Sequence, residues 1–125
     1  MAPTEREPEP GAWFEHAEED LAAAATLLDA GHWGLAAFHA QQCAEKALKA
    51  VQIHRHRTFD RVHDLSRLSR ALKADRDIQE HCAALSGFYT VSRYPDAGGS
   101  VTAEDARVAT DKAKEVLRWA RTQVR

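Results

Sequence analysis

The chain has few of the residues on which several classes of protein depend. Its 125 residues include only two cysteines, Cys43 and Cys82, without CxxC spacing, so the sequence predicts neither a zinc site nor a disulfide framework. β-branched residues are sparse, which argues against a sheet. No segment approaches the roughly 20 apolar residues of a membrane span, and the first ten residues lack the apolar core of a signal peptide. We therefore expect a cytoplasmic protein with no membrane contact.

A strong charge of one sign is also missing, because the net charge is −2. The surface as a whole is therefore not expected to attract nucleic acid. The charge is uneven, however. The first twenty residues carry seven acidic side chains against one arginine, whereas residues 54–57 read HRHR. The favoured interpretation of this basic run is a solvated loop between helices, and the alternative is a contact for an anion or an RNA backbone.

Alanine at helical spacing is abundant, and it predicts one all-α domain. We expect an antiparallel up-and-down bundle of four main helices with one short or split extra helix. Residues 1–11, with three prolines and a glycine, are expected to be a disordered lead-in, and residues 12–125 to form the bundle. Helices are predicted over 12–30, ending at Gly31, and over 33–54. The later helices have predicted N-caps at Asp64, at Asp75 or Asp77, and at Thr102 with Asp105.

The predicted second helix carries more polar chemistry than packing requires. Its segment 36–50 reads AAFHAQQCAEKALKA, with a second stripe of Phe38, Gln42, Glu45 and Lys49 beside the apolar face. The favoured interpretation is a solvated face on which Glu45 pairs with Lys49 at i, i+4. In the alternative, Lys49 belongs to an anion site. The stripe is also a plausible contact between two copies of the chain.

A second polar segment, SRYPD at 92–96, follows downstream, and His63-Asp64-Leu65 stands between the two. The order of an alanine-rich helix ending at a glycine, QQ-AEKALKA, His-Asp-Leu and Tyr-x-x-x-Arg-Tyr-Pro-Asp resembles the HEPN domain family over about residues 12–121. The resemblance implies a small helical bundle with suspected nucleotide binding, usually a homodimer. It also implies a partner, because minimal HEPN proteins are often encoded beside a small nucleotidyltransferase in a toxin–antitoxin-like pair.

HEPN proteins that cleave RNA share an Arg, four to six further residues and then a His. In that metal-independent chemistry the His moves protons while the 2′-hydroxyl attacks, and the Arg steadies the phosphate. Arg93 stands where the Arg is expected, but Gly98, Gly99 and Ser100 occupy the positions expected for the His. The standard ribonuclease motif is therefore incomplete. We expect no metal and no cofactor.

The leading hypothesis is a nucleotide- or RNA-associated partner module of a nucleotidyltransferase or toxin–antitoxin-like system. Arg93 would clamp phosphate through two parallel hydrogen bonds, or equally it would pair with Asp96 or Glu45 in a structural turn. The ligand-binding candidates are Arg93, Lys49, His63, Tyr94, Asp96 and Gln42. One alternative is a metal-independent endoribonuclease toxin with Arg93 and His63 as catalytic candidates, although His63 is more often a structural residue in such a position. The other is a purely structural protein-interaction bundle.

Overall fold

The computed structural model describes residues 9–57, 64–88 and 100–125. Within these ranges the chain forms helices and no strand, so the predicted all-α fold is confirmed. The helices are α1 (Pro10–Asp29), α2 (Trp33–His56), α3 (Leu65–Ala71), α4 (Arg76–Ser86) and α5 (Ala103–Gln123). Helix α3 is the predicted short helix.

Helix α1 begins two residues earlier than the sequence suggested. Pro10 occupies its first turn, where a missing N–H costs nothing because that donor has no partner within the helix. Pro10 and Gly11 therefore belong to the helix and not to the predicted lead-in. The helix stops as expected at Gly31, which has φ +83°. The Gly31 N–H donates to the Leu28 carbonyl at 3.1 Å and the His32 N–H to the Leu27 carbonyl at 2.9 Å, which completes a Schellman motif.

Helix α2 is the centre of the bundle. It runs antiparallel to α1, since Trp13 lies beside Lys49 and Asp20 beside Lys46 and His39. It also packs along α5. Small side chains allow this close approach of helices, and most of the α2 core positions are alanines. The fully buried alanines of α2 are Ala36, Ala37, Ala40, Ala44, Ala47 and Ala50.

Helix α2 extends two residues past its predicted end. It ends at His56, and Arg57 follows with φ 62° and an N–H that donates to the Ile53 carbonyl at 2.8 Å. The first part of the basic run 54–57 therefore forms the last turn of a helix and not an interhelical loop. Positive side chains are favourable there, because the carbonyl end of a helix carries a partial negative charge.

The predicted N-caps of the three later helices are largely confirmed. Asp64 accepts hydrogen bonds from the N–H groups of Ser66 at 3.0 Å and Arg67 at 3.3 Å. Thr102 and Asp105 form a reciprocal capping box with two 3.0 Å hydrogen bonds. Asp75 precedes α4, but its side chain makes no cap hydrogen bond. The apolar residues on the inner side of α3 and α4 are buried: Leu65, Leu68, Leu72, Ile78, Cys82 and Leu85.

The three tryptophans have different environments. Trp119 is buried in the core, Trp13 is partly buried against it, and Trp33 is 40% exposed at the start of α2. Leu35, two residues further along α2, is 52% exposed. Among the described helices none is long and apolar enough to span a membrane.

Candidate functional site

Polar side chains line the seam where α1 and α2 pack. On α1 they come from the stretch between Trp13 and Asp20, and on α2 from the stretch between His39 and Lys49. Because the two helices are antiparallel, residues early in α1 face residues late in α2. The seam therefore brings together side chains that are 19 to 36 residues apart in the chain.

The buried carboxylate of Asp20 is the centre of a partly buried cluster. Its Oδ2 accepts a hydrogen bond from Lys46 Nζ at 2.6 Å, and its Oδ1 lies 2.9 Å from His39 Nδ1. The Asp20 side chain is 11% exposed and that of Lys46 25%. A carboxylate accepts from Lys46 and from His39 at the same time, so its charge is compensated inside the seam.

The contact with Asp20 fixes the orientation of the His39 ring. A carboxylate can only accept, so His39 Nδ1 carries the proton and Nε2 of the neutral ring is left as an acceptor. Of the six histidines that the structure describes, His39 is the one with a ring nitrogen at hydrogen-bond distance from a carboxylate. Such a carboxylate–histidine pair is the arrangement in which imidazole serves as an oriented base.

Glu45 and Lys49 form the pair that their spacing predicts, but not on a solvated face. Lys49 Nζ donates to Glu45 Oε2 at 3.2 Å, and Lys49 and Glu45 are only 5% and 3% exposed. Lys49 Nζ also lies 6.0 Å from the centre of the Trp13 ring. The favoured solvated-face interpretation was wrong, because α1 covers this turn of α2. The predicted dimer stripe is likewise interrupted, since two of its four members are buried within one chain.

Gln42 lies one turn from Glu45 on the same helix. Its Nε2 donates to Oε1 of the fully buried Gln41 at 2.7 Å. Gln42 itself is partly exposed, so it remains able to contact a ligand or another chain. The two ligand candidates on α2, Gln42 and Lys49, are therefore two turns apart and differ in exposure.

A pocket of about 480 Å³ opens at the end of the seam where α1 begins. The described residues that line it are Ala12, Trp13, His16 and Lys46. An aromatic ring beside an ammonium group suits a ligand that is flat at one end and anionic at the other, since the ring offers stacking and the cation offers charge. Lys46 joins the pocket to the Asp20 cluster, because its ammonium group also contacts that carboxylate.

The two cysteines are not chemical groups of this site. Burial, together with the charges of Asp20 and Glu18, raises the pKa of the Cys43 thiol to about 12. Burial raises the pKa of Cys82 to about 12, although a side-chain hydrogen bond with Ser69 acts to lower it. Both thiols stay protonated at neutral pH and serve as small core residues.

The remaining site candidates, His63, Arg93, Tyr94 and Asp96, lie outside the described residues. Within the described part of the chain no cluster of His, Cys, Asp and Glu could hold a metal ion. The cluster of Asp20, His39 and Lys46 was not predicted from the sequence. Its signal was present, because Asp20 stands three residues after Ala17 and four before Ala24, on the buried side of α1.

Comparisons with known proteins agree with this fold. The family model described as the HEPN domain matches residues 11–123. The crystal structure of TT1696 from Thermus thermophilus is 29% identical, with a TM-score of 0.86 over 91% of this chain and 97% of that one. The crystal structure of ST0689, an archaeal HEPN homologue, is 31% identical, with a TM-score of 0.82 over 94% of this chain and 99% of that one.

A shorter similarity carries a functional name. A protein of Methanocaldococcus jannaschii named "Putative toxin MJ1304" is 49% identical over 41 residues. The matched segment is 33% of this chain and 27% of that protein. The chain therefore matches about a quarter of the length of this relative.

Proposed function

Because the chain belongs to the HEPN domain family, we propose that it is a nucleotide- or RNA-associated module of a toxin–antitoxin-like pair. The similarity to a protein named as a toxin supports the general assignment. In the proposal, the partner is a small nucleotidyltransferase and the module acts as a homodimer. Both finer points come from the resemblance to minimal HEPN proteins.

The observation that carries the ligand part of the proposal is the pocket beside Trp13. A nucleobase would stack on the Trp13 ring, and the phosphate would approach Lys46, whose ammonium group lines the same pocket. Lys46 has three donors, and the one hydrogen bond that it gives to Asp20 leaves others for phosphate oxygens. The size of the pocket, about 480 Å³, is within the range of small-ligand sites.

The ligand-binding candidates that the sequence predicts have different roles in this proposal. Lys49 is buried behind Trp13 and its charge is compensated by Glu45, so it would support the ring from beneath while Lys46 meets the phosphate. Gln42 would contact the ligand from the partly exposed face of α2. The remaining proposed contacts to phosphate and ribose follow the resemblance: Arg93, with His63, Tyr94 and Asp96.

A thermal-shift panel of ribonucleotides and short RNAs tests this assignment. A ligand that binds only the folded state raises the melting temperature by mass action. We expect a shift for the wild type that is reduced in Lys46→Gln and lost in Arg93→Ala. Arg118→Gln is the matched control, because Arg118 is an exposed residue paired with Glu115 at 2.9 Å, away from the seam. Protein that melts cooperatively but shifts with no ligand would refute the ligand part of the proposal.

A second candidate is the metal-independent endoribonuclease toxin. The observation in its favour is the imidazole of His39, which Asp20 holds with Nε2 as the acceptor. His39 would then supply the proton transfer that the incomplete motif lacks, in place of the candidate His63, with Arg93 at the phosphate. Cleavage of total tRNA in excess EDTA, retained in His63→Ala and lost in His39→Ala, would support this assignment. A wild type that binds RNA for hours without cleaving it would exclude the enzyme.

The third candidate, a structural interaction bundle, is favoured by the exposed Trp33 and Leu35. Large exposed apolar side chains are common in protein interfaces. Light scattering of the wild type and of Trp33→Ser tests whether this patch joins two copies. Co-purification with the product of the neighbouring gene tests a different partner. A complex that forms without any nucleotide effect would favour the structural role over the ligand-binding one.

A further inference from the structure

Three helix ends meet around one arginine at the far end of the bundle. Arg55 Nη1 donates to the Leu72 carbonyl at 2.5 Å, and its Nη2 donates to Gln123 Oε1 at 2.9 Å. Arg55 is in the last turn of α2, Leu72 caps α3, and Gln123 is the last residue of α5. One side chain therefore fixes the C-terminal ends of three helices next to one another.

Exposed cations collect at this junction. Arg57 lies two residues from Arg55, Lys73 follows Leu72, and Arg125 lies two residues after Gln123, and all are exposed. Two residues of chain span at most about 7 Å, so each of these cations stays close to a contact of Arg55. We call this surface the basic end, made of Arg55, Arg57, Lys73 and Arg125. The exposed imidazoles of His54 and His56 lie beside it.

The positive charge of the basic end meets few carboxylates among the described residues. None of Arg57, Lys73 and Arg125 forms an ion pair with another described residue, whereas Lys46, Arg107, Arg118 and Arg121 all do. Each helix end contributes a partial charge of about −0.5. Among the described residues, three such ends and Asp75 offset part of four full positive charges, which leaves a positive excess.

We propose that the basic end binds the phosphate backbone of single-stranded RNA, as a site separate from the pocket at Trp13. The proposal rests on the RNA association proposed above and names the surface that contacts the strand. Guanidinium groups suit phosphate oxygens because two parallel N–H donors match them. The imidazoles of His54 and His56 are flat and exposed, so they can stack on unpaired bases.

An acidic protein is the other kind of molecule that such a surface attracts, and the structure favours RNA. Stable protein interfaces depend on apolar anchors that become buried. The exposed large apolar residues of the described chain are Trp33 and Leu35. They stand 24 and 22 residues before Arg57, which is about 33–36 Å along α2. The basic end therefore offers charge and flat rings without an apolar anchor, which is typical of single-strand binding.

Fluorescence anisotropy with a labelled 12-nucleotide single-stranded RNA, measured over a range of salt concentrations, tests the proposal on the full chain. The variants are Arg57→Gln, Arg125→Gln and their double, with Arg118→Gln as the control. Arg55 is left intact because it holds the helix ends together. Each lost phosphate contact should weaken binding to all RNA sequences alike. It should also reduce the slope of log affinity against log salt by about 0.7.

The outcomes separate this site from the proposed function. Suppose that the wild type binds RNA, and that the Arg57→Gln/Arg125→Gln variant has the same slope of log affinity against log salt as Arg118→Gln. RNA binding at the basic end is then refuted, while the proposed RNA association stands. If mononucleotides bind but the 12-nucleotide RNA does not, the basic end is refuted and the pocket stands. Displacement of the RNA by poly-glutamate at equal charge concentration would overturn the choice of RNA in favour of an acidic protein. A reduced slope with unchanged melting temperature and no such displacement would establish the site.

Discussion

Single backbone conformations set part of the stability of this chain. Lys73 ends α3 with φ 55°, and its neighbours complete a Schellman motif, with the Ala74 N–H donating to the Ser69 carbonyl at 3.0 Å. A residue with a Cβ is strained in the left-handed region, where glycine is not. Gly31 holds the same position after α1 with φ +83°. The two helix ends therefore use the same geometry with opposite residue choices.

We expect Lys73→Gly to raise the free energy of unfolding by about 0.5–1 kcal/mol. The matched change Gly31→Ala should lower it by about 1 kcal/mol, since nothing within 4 Å obstructs the new methyl group and only the backbone is strained. Urea unfolding of both variants measures the two effects. If both substitutions changed the free energy of unfolding in the same direction, the assignment of backbone strain at Lys73 would be contradicted. Lys73→Gly should also weaken RNA binding at the basic end, so its effects on stability and on affinity should be opposite.

The buried thiols give a second prediction at the residue scale. Burial raises the pKa of Cys43 and Cys82 from 9.0 to about 12, so the thiolate that attacks disulfide reagents is scarce in the native state. At pH 8 we expect neither thiol to react with a disulfide reagent until urea unfolds the chain. Rapid reaction of the native protein would contradict the burial.

The same pKa values predict how stability depends on pH. Below pH 9 the thiols are protonated in both states and contribute no pH dependence. Between pH 9 and about 12 they ionise in the unfolded chain and stay protonated in the native one. Stability should therefore fall by about 1.4 kcal/mol per pH unit for each thiol in that window. Urea unfolding of the wild type and of Cys82→Ala at pH 8 and pH 10 measures how much of the pH-dependent loss of stability comes from the Cys82 thiol.

At the scale of the element, α3 and α4 offer a matched pair of N-caps. Asp64 accepts two backbone hydrogen bonds at the start of α3, whereas the Asp75 side chain makes none at the start of α4. We expect Asp64→Ala to lower the free energy of unfolding by about 1 kcal/mol, and Asp75→Ala by only a few tenths. Urea unfolding distinguishes the two values. An equal loss in both variants would show that the aspartates act through charge and not through the cap geometry.

The elements themselves could be predicted because their signals are local. Gly31 stops α1, Asp64 begins α3, and Thr102 with Asp105 begins α5, each through a hydrogen bond or a backbone angle that lies within a few residues. The boundaries that moved, at Pro10 and His56, are at helix ends where the residue types fit either state. Pro10 is compatible with a first turn, and a basic run is compatible with a last turn.

The site could not be predicted to the same extent, because its contacts join different elements. The spacing of Glu45 and Lys49 indicated their pairing, but only the packing of α1 over α2 decides that the pair is buried. The bond between Asp20 and Lys46 spans 26 residues, and no local pattern reports it. In the sequence, Asp20 is one of several acidic residues near the N-terminus. Only the packing register of α1 against α2 places its side chain in the seam.

At the scale of the whole molecule, two ion pairs join α1 to the rest of the bundle in different environments. Asp20 contacts Lys46 inside the seam with α2, where the side chains are 11% and 25% exposed. Glu18 contacts Arg121 of α5 at 2.6 Å on the surface, where both side chains are about half exposed. Water screens the pair of Glu18 and Arg121 and competes for its hydrogen bonds. The two ion pairs should therefore contribute differently to the free energy of unfolding.

We expect Asp20→Ala to lower the free energy of unfolding by roughly 1–3 kcal/mol, because it removes a nearly buried carboxylate that contacts both Lys46 and His39 and leaves the partly buried Lys46 without its counter-charge. Glu18→Ala, the matched control on the same helix, should cost less than about 1 kcal/mol. The double variant Asp20→Ala/Lys46→Met should recover part of the loss, since it removes the unpaired charge and keeps an apolar stem. Urea unfolding of the three variants measures these values. A double variant less stable than Asp20→Ala would mean that the Lys46 ammonium group stabilises the fold even without Asp20. The ion pair between Asp20 and Lys46 would then be a consequence of the packing of α1 on α2, and not one of its causes.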